Sequence, residues 1–510
     1  MRRLAERVVL TFFLAGFWLF SSVPCAANSG FTLTASARCD GNPTADCGTV
    51  SQSATVCERD CLVTIKAHPS SDGWLFDHWE GDASGTANPT TVQMTADKQV
   101  KAVFVSSALP PPPLPPVNQH EVIGYFIQWG IYGRDYLVKD VVASGAADRL
   151  TVINYAFAGI ADDLTCTSLD SFADWGKRFD ASESVDGVGD TVTQPLKGNF
   201  NQLKKMKAPF PRIRVLISIG GWNNSGLFSA AALPENREKF VSSCVDMFIK
   251  GQFAAGVIDP GVFDGIDIDW EYPGTCGATC NWRPQDSMNF TALLAEFRRQ
   301  LDGVRPGLLL TAAMPAAKHY HDNINLPGTQ NQLDWMNVMT YDFHGLWEPV
   351  GPTNHHSNLY FNNNDPSVSP LSVDRVVGEY LAKGVKASKV VVGIPFYGRG
   401  WARVPAGKDN GLYQNAGSLP RGTLDLAIED YKVLKTRGYP EFWDAAAKAS
   451  WMYNGDVFWT FDSPRAVREK MRYIKARNLK GVMFWEMSGD DGTMVKAVAD
   501  CLGVSSVTCQ

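Results

Sequence analysis

Residues 263–273, Phe-Asp-Gly-Ile-Asp-Ile-Asp-Trp-Glu-Tyr-Pro, alternate acidic and large apolar side chains. The acids Asp267, Asp269 and Glu271 therefore follow the period of a β-strand, whose successive side chains point to opposite faces. They share one face, spaced roughly 7 Å apart along the backbone. If the apolar face packs on helices, the acids point into a barrel, where three negative charges cannot all persist. The pattern predicts a proton held there near neutral pH, as a general acid requires. The alternative is an ordinary strand with a solvated acidic face.

From residue 120 onward, strand-like and helix-like runs alternate, which predicts an α/β fold with a parallel sheet. Helical stretches are expected at residues 289–301, 372–383 and 463–478. Eight strand–helix units over nearly four hundred residues suit a (β/α)₈ TIM barrel with insertions. The predicted barrel strands are residues 124–129, 151–160, 214–221, 263–271, 308–315, 334–342, 390–398 and 481–489.

The chain before the predicted barrel divides into three parts. Residues 1–27 have arginines at positions 2, 3 and 7, an apolar run over 8–20 and small residues after Pro24, which predicts a signal peptide. Residues 28–106 have short alternating runs broken by Gly, Asn and Pro, which predicts a small, mostly β domain. Residues 107–118 are a proline-rich spacer. The barrel is expected over 119–505.

The charge balance argues against nucleic acid as a partner, and predicted export indicates how the cysteines are used. The chain has 47 Lys and Arg against 53 Asp and Glu, so it offers no basic field for nucleic acid. Of the 11 cysteines, Cys25 is expected to leave with the signal peptide, and export predicts an oxidising environment for the other ten. Three pairings are possible among Cys39, Cys47, Cys57 and Cys61, and the sequence does not choose between them.

The remaining cysteines give further expectations. Cys276 and Cys280 are close enough in sequence to bridge, Cys501 and Cys509 can staple the C-terminus, and Cys244 is expected to be a buried thiol. No cysteine has zinc-site spacing with histidine, and no metal or other cofactor is expected.

The spacing Asp-x-x-Asp-x-Asp-x-Glu from Asp264 to Glu271 resembles the signature of glycoside hydrolase family 18, the chitinases. Other predicted strand ends fit the same family in the same order. They read Gly-Tyr-Phe-Ile-Gln-Trp at 124–129, Asn-Tyr-Ala-Phe-Ala at 154–158, Ser-Ile-Gly-Gly-Trp at 218–222, Met-Thr-Tyr-Asp-Phe-His-Gly at 339–345, Pro-Phe-Tyr-Gly-Arg at 395–399 and Met-Phe-Trp-Glu at 483–486. The resemblance covers roughly residues 120–500. Active sites of such barrels lie at the C-terminal ends of the strands, where these segments stand.

The resemblance implies a substrate-assisted mechanism with retention of configuration. Most glycosidases use a second carboxylate as nucleophile or base, whereas this family uses the substrate's own acetamido group. Glu271 is then the acid/base, and Asp269 holds the acetamido N–H. Asp267 shares a proton with Asp269, helped by hydroxyls from Ser218 and Tyr125.

The resemblance also implies the substrate-binding residues. Tyr341 donates to the acetamido oxygen, Asp342 binds nearby polar groups, and Trp485 forms the floor under the reacting sugar. For each side chain the alternative is plain barrel packing. The other expected substrate-lining residues are Phe157, Trp222, Met339, Trp347, Tyr397 and Arg399.

Two further segments resemble known modules. Residues 74–81, Trp-Leu-Phe-Asp-His-Trp-Glu-Gly, together with residues 101–104, resemble the divergent internalin-type B repeat of bacterial surface proteins. Trp74, Phe76 and Trp79 can bind carbohydrate or pack a core, and core packing is the expected role. Residues 402–457 are far longer than an ordinary barrel loop and resemble the small α+β insertion domain of one chitinase subfamily.

These observations predict a secreted, extracellular chitinase that passes through the periplasm in a Gram-negative cell. Its expected partners are chitin and chitooligosaccharides, with no nucleic acid and no membrane after signal cleavage, and it is expected to be a monomer. The first alternative is an endo-β-N-acetylglucosaminidase acting on N-glycans, which shares the acid motif. The second is a chitin-binding, chitinase-like lectin, which keeps the barrel but loses the acid.

Overall fold

The computed structural model describes residues 30–39, 46–70, 74–106 and 120–502. The chain divides into two compact units, residues 1–107 and 108–510. The predicted signal peptide and the predicted proline-rich spacer lie outside the described residues. Within the described part of the chain, no helix is long and apolar enough to cross a membrane.

The first unit is built from β-strands only, as far as its described residues go. A four-stranded sheet pairs strand Phe31–Cys39 in parallel with strand Lys98–Ser106. Trp79 is buried at the centre of the core, and Trp74 and Phe76 pack against it. Trp79 is therefore a core residue, as expected, and Trp74 and Phe76 cover that core while remaining partly exposed. The strands are Phe31–Cys39, Gly48–Gln52, Val56–Cys57, Leu62–Pro69, Trp74–Gly81, Thr90–Gln93 and Lys98–Ser106.

The second unit is a closed barrel of eight parallel strands, which confirms the predicted TIM barrel. Strand 1 pairs with both strand 2 and strand 8, so the sheet has no open edge. A short antiparallel strand, Cys166–Ser168, adds to strand 2. In order, strands 1 to 8 are Glu121–Ile127, Val152–Ile160, Arg214–Gly220, Gly265–Asp269, Leu309–Met314, Trp335–Val338, Val390–Pro395 and Gly481–Trp485.

Helices surround the barrel, and several begin at the residues their sequences favour. Ser372 and Ser463 each cap a helix by accepting a backbone N–H, and Pro464 occupies the first turn after Ser463. The predicted helices at 289–301, 372–383 and 463–478 are all present, with slightly different ends. The α-helices around the barrel are Val138–Ala143, Gly198–Lys207, Phe228–Ala231, Pro234–Cys244, Asp286–Val304, Lys318–His321, Leu326–Gln330, Val373–Ala382, Pro464–Ala476 and Thr493–Leu502.

The alternation in strand 4 separates two kinds of core. Ile266 and Ile268 point outward into the layer between strands and helices. Asp267 points into the barrel, where it is completely buried. Inside the barrel a smaller apolar cluster includes Tyr125, Leu309, Trp335, Val391 and Met483. The acids therefore face a partly polar barrel interior, as the sequence predicted.

The insertion after strand 7 is an antiparallel sheet, and it begins earlier than the sequence suggested. Its strands are Tyr397–Trp401, Ile428–Asp430, Glu441–Asp444, Ala449–Tyr453 and Phe458–Phe461, with one short helix at Tyr431–Leu434. The prediction that strand 7 runs to residue 398 is wrong. Gly398 instead pairs with Phe461, and a side chain on Gly398 would meet the carbonyl oxygen of Thr460 at 2.6 Å. The absence of a side chain at Gly398 thus allows this strand to lie close to strand Phe458–Phe461.

Strands 6 and 8 are also predicted about four residues too long at their C-terminal ends, and strands 1 and 4 about two residues too long. Strand 6 ends at Val338, and Asp342 adopts a left-handed φ of 57° that no strand accommodates. Strand 8 ends at Trp485 and a 3₁₀ turn, Met487–Gly489, follows. A second long segment, residues 343–372, connects strand 6 to the next helix and was not anticipated.

Disulfide pairing settles most of the cysteine expectations. Cys39 pairs with Cys47 and Cys57 with Cys61, and the expected bridge between positions 276 and 280 is present. The prediction that Cys244 is a buried free thiol is wrong, because it pairs with Cys166 across 78 residues. The short strand beside strand 2 brings the two cysteines together. Cys509 lies outside the described residues.

Candidate active site

Asp267 is the centre of a hydrogen-bond network inside the barrel. Tyr125 and Ser218 each donate to its Oδ2 at 2.8 Å, as the sequence suggested. Thr311 and the Asn337 amide donate to Oδ1 at 2.5 and 3.1 Å. Burial raises the pKa of the Asp267 carboxyl, and the four donors oppose that rise. Four neighbouring side chains thus hold one buried acid in a fixed orientation.

Asp269 lies nearer the mouth of the barrel and is 5% exposed. Its Oδ1 is buried and has no hydrogen-bond partner among the described residues. Sharing a proton with Asp267, as the sequence analysis expects, would require a hydrogen bond between the two carboxyl groups, and Oδ1 of Asp269 does not form one. A buried acceptor without a donor is unfavourable unless a ligand supplies one. Asp269 is therefore positioned to accept a hydrogen bond from a bound molecule.

Glu271 follows the end of strand 4 and is partly exposed to the cleft. Its backbone N–H donates to Ser225 Oγ at 2.9 Å, which fixes the chain beyond the strand. Burial raises the pKa of Glu271 to about 7, a hydrogen bond from Tyr272 opposes the rise, and the negative charge of Asp342 adds to it. The pKa of Asp269 lies well above its usual range, because of burial and then the charges of Glu271 and Asp267. The pair can hold a proton near neutral pH.

Tyr341 and Asp342 form a corner beyond strand 6. Tyr397 donates to Asp342 Oδ1 at 2.8 Å, and Arg399 binds both carboxylate oxygens through Nε at 2.8 Å and Nη2 at 2.6 Å. This pairing holds the pKa of Asp342 well below its usual range, in spite of burial. The Tyr341 hydroxyl points at Met483 Sδ at 3.9 Å, a weak acceptor, so it remains able to donate to a ligand.

Aromatic side chains form the floor and the walls of the site. Trp485 stacks on Phe157 with ring centres 5.5 Å apart and also contacts Tyr125 and Trp129. Met339 is partly buried and packs against the cluster inside the barrel. Such broad apolar faces match the apolar faces of sugar rings.

Two of the expected substrate-lining tryptophans lie on the rim. Trp347 is 51% exposed and covers the Arg399 guanidinium at 5.3 Å, whereas Trp222 is 49% exposed and contacts the edge of Tyr272. Tyr272 in turn stacks on Tyr320 at 4.1 Å. These rings continue the aromatic surface beyond the acids.

Several residues of this site were missed in the sequence. Thr311 and Asn337 are polar residues inside the apolar runs of strands 5 and 6, and this irregularity is the signal that can identify them. Ser225 lies on a loop, and Tyr320 lies on the one-turn helix Lys318–His321, which is too short to show a periodic pattern. His356, which faces Asp342 at 3.6 Å, lies in the unanticipated segment 343–372. Sequence patterns alone do not locate these three.

The fold and the site together define a class. A TIM barrel with buried acids and an aromatic floor at the C-terminal ends of its strands has the architecture of a glycoside hydrolase. Comparison with protein families agrees: residues 121–490 match the model of glycosyl hydrolases family 18, and residues 31–108 match the divergent InlB B-repeat domain. The chain belongs to glycosyl hydrolase family 18 and carries this small domain ahead of the barrel.

Named relatives are similar over the barrel. Chitinase C of Streptomyces lividans is 40% identical over 371 residues, which are 72% of this chain and 57% of that protein. Chitinase A1 of Niallia circulans is 34% identical over 77% of this chain and 59% of its own length. The chain thus spans less than two thirds of these relatives. The catalytic domain of psychrophilic chitinase B from Arthrobacter TAD20 superposes with a TM-score of 0.73 at 38% identity, covering 77% of this chain and 97% of that domain.

Proposed function

We propose that this protein is a chitinase that hydrolyses β-1,4 linkages of N-acetylglucosamine polymers with retention of configuration. The observation that carries the proposal is the arrangement of Asp267, Asp269 and Glu271. One acid is fixed by four donors, the next keeps a buried oxygen free, and the third has a pKa of about 7. The similarity to named chitinases supports the substrate class.

In the first step Glu271 gives its proton to the glycosidic oxygen, and the bond from that oxygen to the anomeric carbon breaks. The acetamido carbonyl oxygen of the same sugar forms a bond to the anomeric carbon, giving a cyclic oxazolinium ion. An internal nucleophile avoids the entropy of capturing an external one. In the second step water attacks the anomeric carbon, Glu271 takes a proton from that water, and the ring opens. Two inversions at one carbon give retention.

The neighbouring groups stabilise the intermediate in this proposal. The free oxygen of Asp269 accepts the acetamido N–H, and the negative charge of that carboxyl stabilises the positive ring. Tyr341 donates to the acetamido oxygen. Trp485 lies under the reacting sugar, and Asp342, held by Arg399 and Tyr397, binds a hydroxyl beyond the cleaved bond.

The experiment is a Glu271→Gln substitution combined with analysis of the product. Glutamine is nearly isosteric but gives no proton, and general acid catalysis contributes typically about 10²–10⁴-fold, so hydrolysis of chitooligosaccharides should fall at least that far while sugar binding remains. NMR before mutarotation should show the β-anomer first. Activity within about threefold of the parent, or the α-anomer first, would disprove the proposed mechanism.

A parallel substrate comparison tests the substrate class. Faster turnover of an N-glycan than of a chitin oligosaccharide would favour an endo-β-N-acetylglucosaminidase, and binding without turnover would favour a lectin. We also propose that the protein is secreted and monomeric. N-terminal sequencing of the protein from culture medium should show cleavage near residue 27, and sedimentation should give a single chain.

A further inference from the structure

The insertion sheet and the floor of the site meet at one buried guanidinium. Arg134 lies on the loop after strand 1 and is 16% exposed at its side chain. Its Nη2 contacts Asp430 Oδ1 and Glu486 Oε1, both at 2.7 Å, and its Nε donates to Ser488 Oγ at 2.5 Å. The contacts join three segments that are distant in sequence: the loop after strand 1, the insertion sheet and the end of strand 8.

Each of these segments carries part of the aromatic surface or adjoins it. Glu486 follows Trp485 directly in the chain. The 3₁₀ turn Gln128–Ile131, just before Arg134, carries Trp129, whose ring lies 6.5 Å from that of Trp485. Asp430 ends an insertion strand and pairs opposite Tyr397, which holds Asp342.

A backbone path runs beside the guanidinium and joins the same partners. The N–H of Tyr431, next to Asp430, donates to the carbonyl of Phe396, and the N–H of Phe396 donates to the carbonyl of Trp485. Phe396 is the point at which the chain leaves the barrel for the insertion. Arg134 binds the acids at both ends of this path, Asp430 and Glu486, so its side chain forms a second connection between the insertion sheet and the segment that carries Trp485.

The charges show why the guanidinium is needed. The Glu486 side chain is 9% exposed, and its remaining donors are the N–H and the hydroxyl of Ser488. Burial raises the pKa of the Glu486 carboxyl, whereas the Arg134 charge lowers it. Removing one partner of a buried ion pair leaves the other charge uncompensated. Without the guanidinium, the Glu486 carboxylate would take up a proton or its segment would move toward water.

We propose that Arg134 is a positioning residue that fixes Trp485 and the insertion sheet relative to each other through Glu486 and Asp430. The inference rests on the proposed function, because it assigns Trp485 to the floor beneath the reacting sugar. The floor can hold the reacting sugar in the shape that brings its acetamido oxygen to the anomeric carbon. A displaced floor does this less well, and the loss affects the transition state more than the bound substrate. Arg134 acts through its neighbours and does not need to touch the substrate.

The test compares Arg134→Met, Arg134→Lys and Arg214→Met on a soluble chitooligosaccharide. Arg214 forms a similarly buried ion pair with Glu121 at 3.0 Å, but at the opposite end of the barrel. For Arg134→Met we expect kcat to fall about tenfold or more with KM changed less than about threefold. The lysine variant keeps the charge and should recover part of kcat, and the Arg214 variant should keep kcat once the folded fraction is equal.

A second measurement needs no turnover and separates this inference from the proposed function. The near-ultraviolet circular dichroism band that is lost in Trp485→Phe should also change in Arg134→Met and remain in Arg214→Met. If Arg134→Met keeps both that band and kcat, or if Arg214→Met loses kcat equally, the positioning role is wrong. If the parent protein has no hydrolytic activity but the band changes as expected, the proposed function fails and the positioning role stands.

Discussion

Replacing Glu271 with glutamine should stabilise the protein in a pH-dependent manner while abolishing its activity. In the folded protein the pKa of Glu271 rises from 4.5 to about 7, mainly through burial. A pKa difference of about 2.5 corresponds to about 3.5 kcal/mol for carrying the ionised group in the folded state. This value is an upper bound, because Glu271 is partly exposed to water in the cleft.

The raised pKa of Glu271 makes the folded protein less stable as pH rises. Below about pH 4.5 the carboxyl is protonated in both the folded and the unfolded states, and Glu271 brings no penalty. Between about 4.5 and 7 the folded state binds more protons than the unfolded state, so stability falls as pH rises. Above about 7 the loss is complete. Glutamine does not ionise, so the variant does not lose stability in this way. The substitution also removes the charge of Glu271 beside Asp269, which should lower the pKa of Asp269.

The assay is the melting temperature of parent and variant from pH 4 to pH 8. For a unit of this size, about 3.5 kcal/mol corresponds to about 4 °C in Tm. The Tm of the variant minus the Tm of the parent should therefore increase by about 4 °C from pH 4 to pH 8. Glu238→Gln, at a side chain that is 83% exposed, is a matched control for the Glu-to-Gln exchange itself. A difference for Glu271→Gln that is constant, or that shrinks toward pH 8, would refute the reasoning.

Two other predictions concern the parts around the acids. Trp485→Ala should mainly lower kcat, and replacing residues 402–457 by a short turn should reduce activity on chitin more than on short oligomers. Steady-state kinetics of both variants on both substrates can measure these effects. Equal losses of activity on the two substrates for the deletion would mean that the insertion supports the fold. Deleting residues 1–118 should leave kcat and KM on a soluble oligomer nearly unchanged, because every proposed catalytic group lies in the barrel. Loss of turnover with the barrel still folded would contradict this architecture.

The strands were predictable because their signal is local. The two-residue period of 263–271 placed Asp267 and Asp269 on the inner face, and the β-branched run 390–394 identified strand 7. Strand ends were less predictable. Asp342 leaves strand 6 by a left-handed backbone turn, and nothing in its local composition requires that turn.

Contacts between distant segments were not predictable from one sequence. The Cys166–Cys244 bridge spans 78 residues, and Arg134 meets Asp430 across 296. Such pairs depend on which elements the closed barrel brings together. The roles of Glu271, Asp269 and Tyr341 came from a family signature, and physical reasoning alone reached only the expectation of a shared proton.

The four donors around Asp267 also have a consequence for how the barrel assembles. They come from strands 1, 3, 5 and 6, whereas the acid itself stands on strand 4. A half-barrel ending at strand 4 would contain the carboxyl with only two of its four partners, Tyr125 and Ser218. Thr311 and Asn337 join only when strands 5 and 6 are in place. The acid that orders the site is therefore held in its final orientation only after strands from both halves of the barrel have come together.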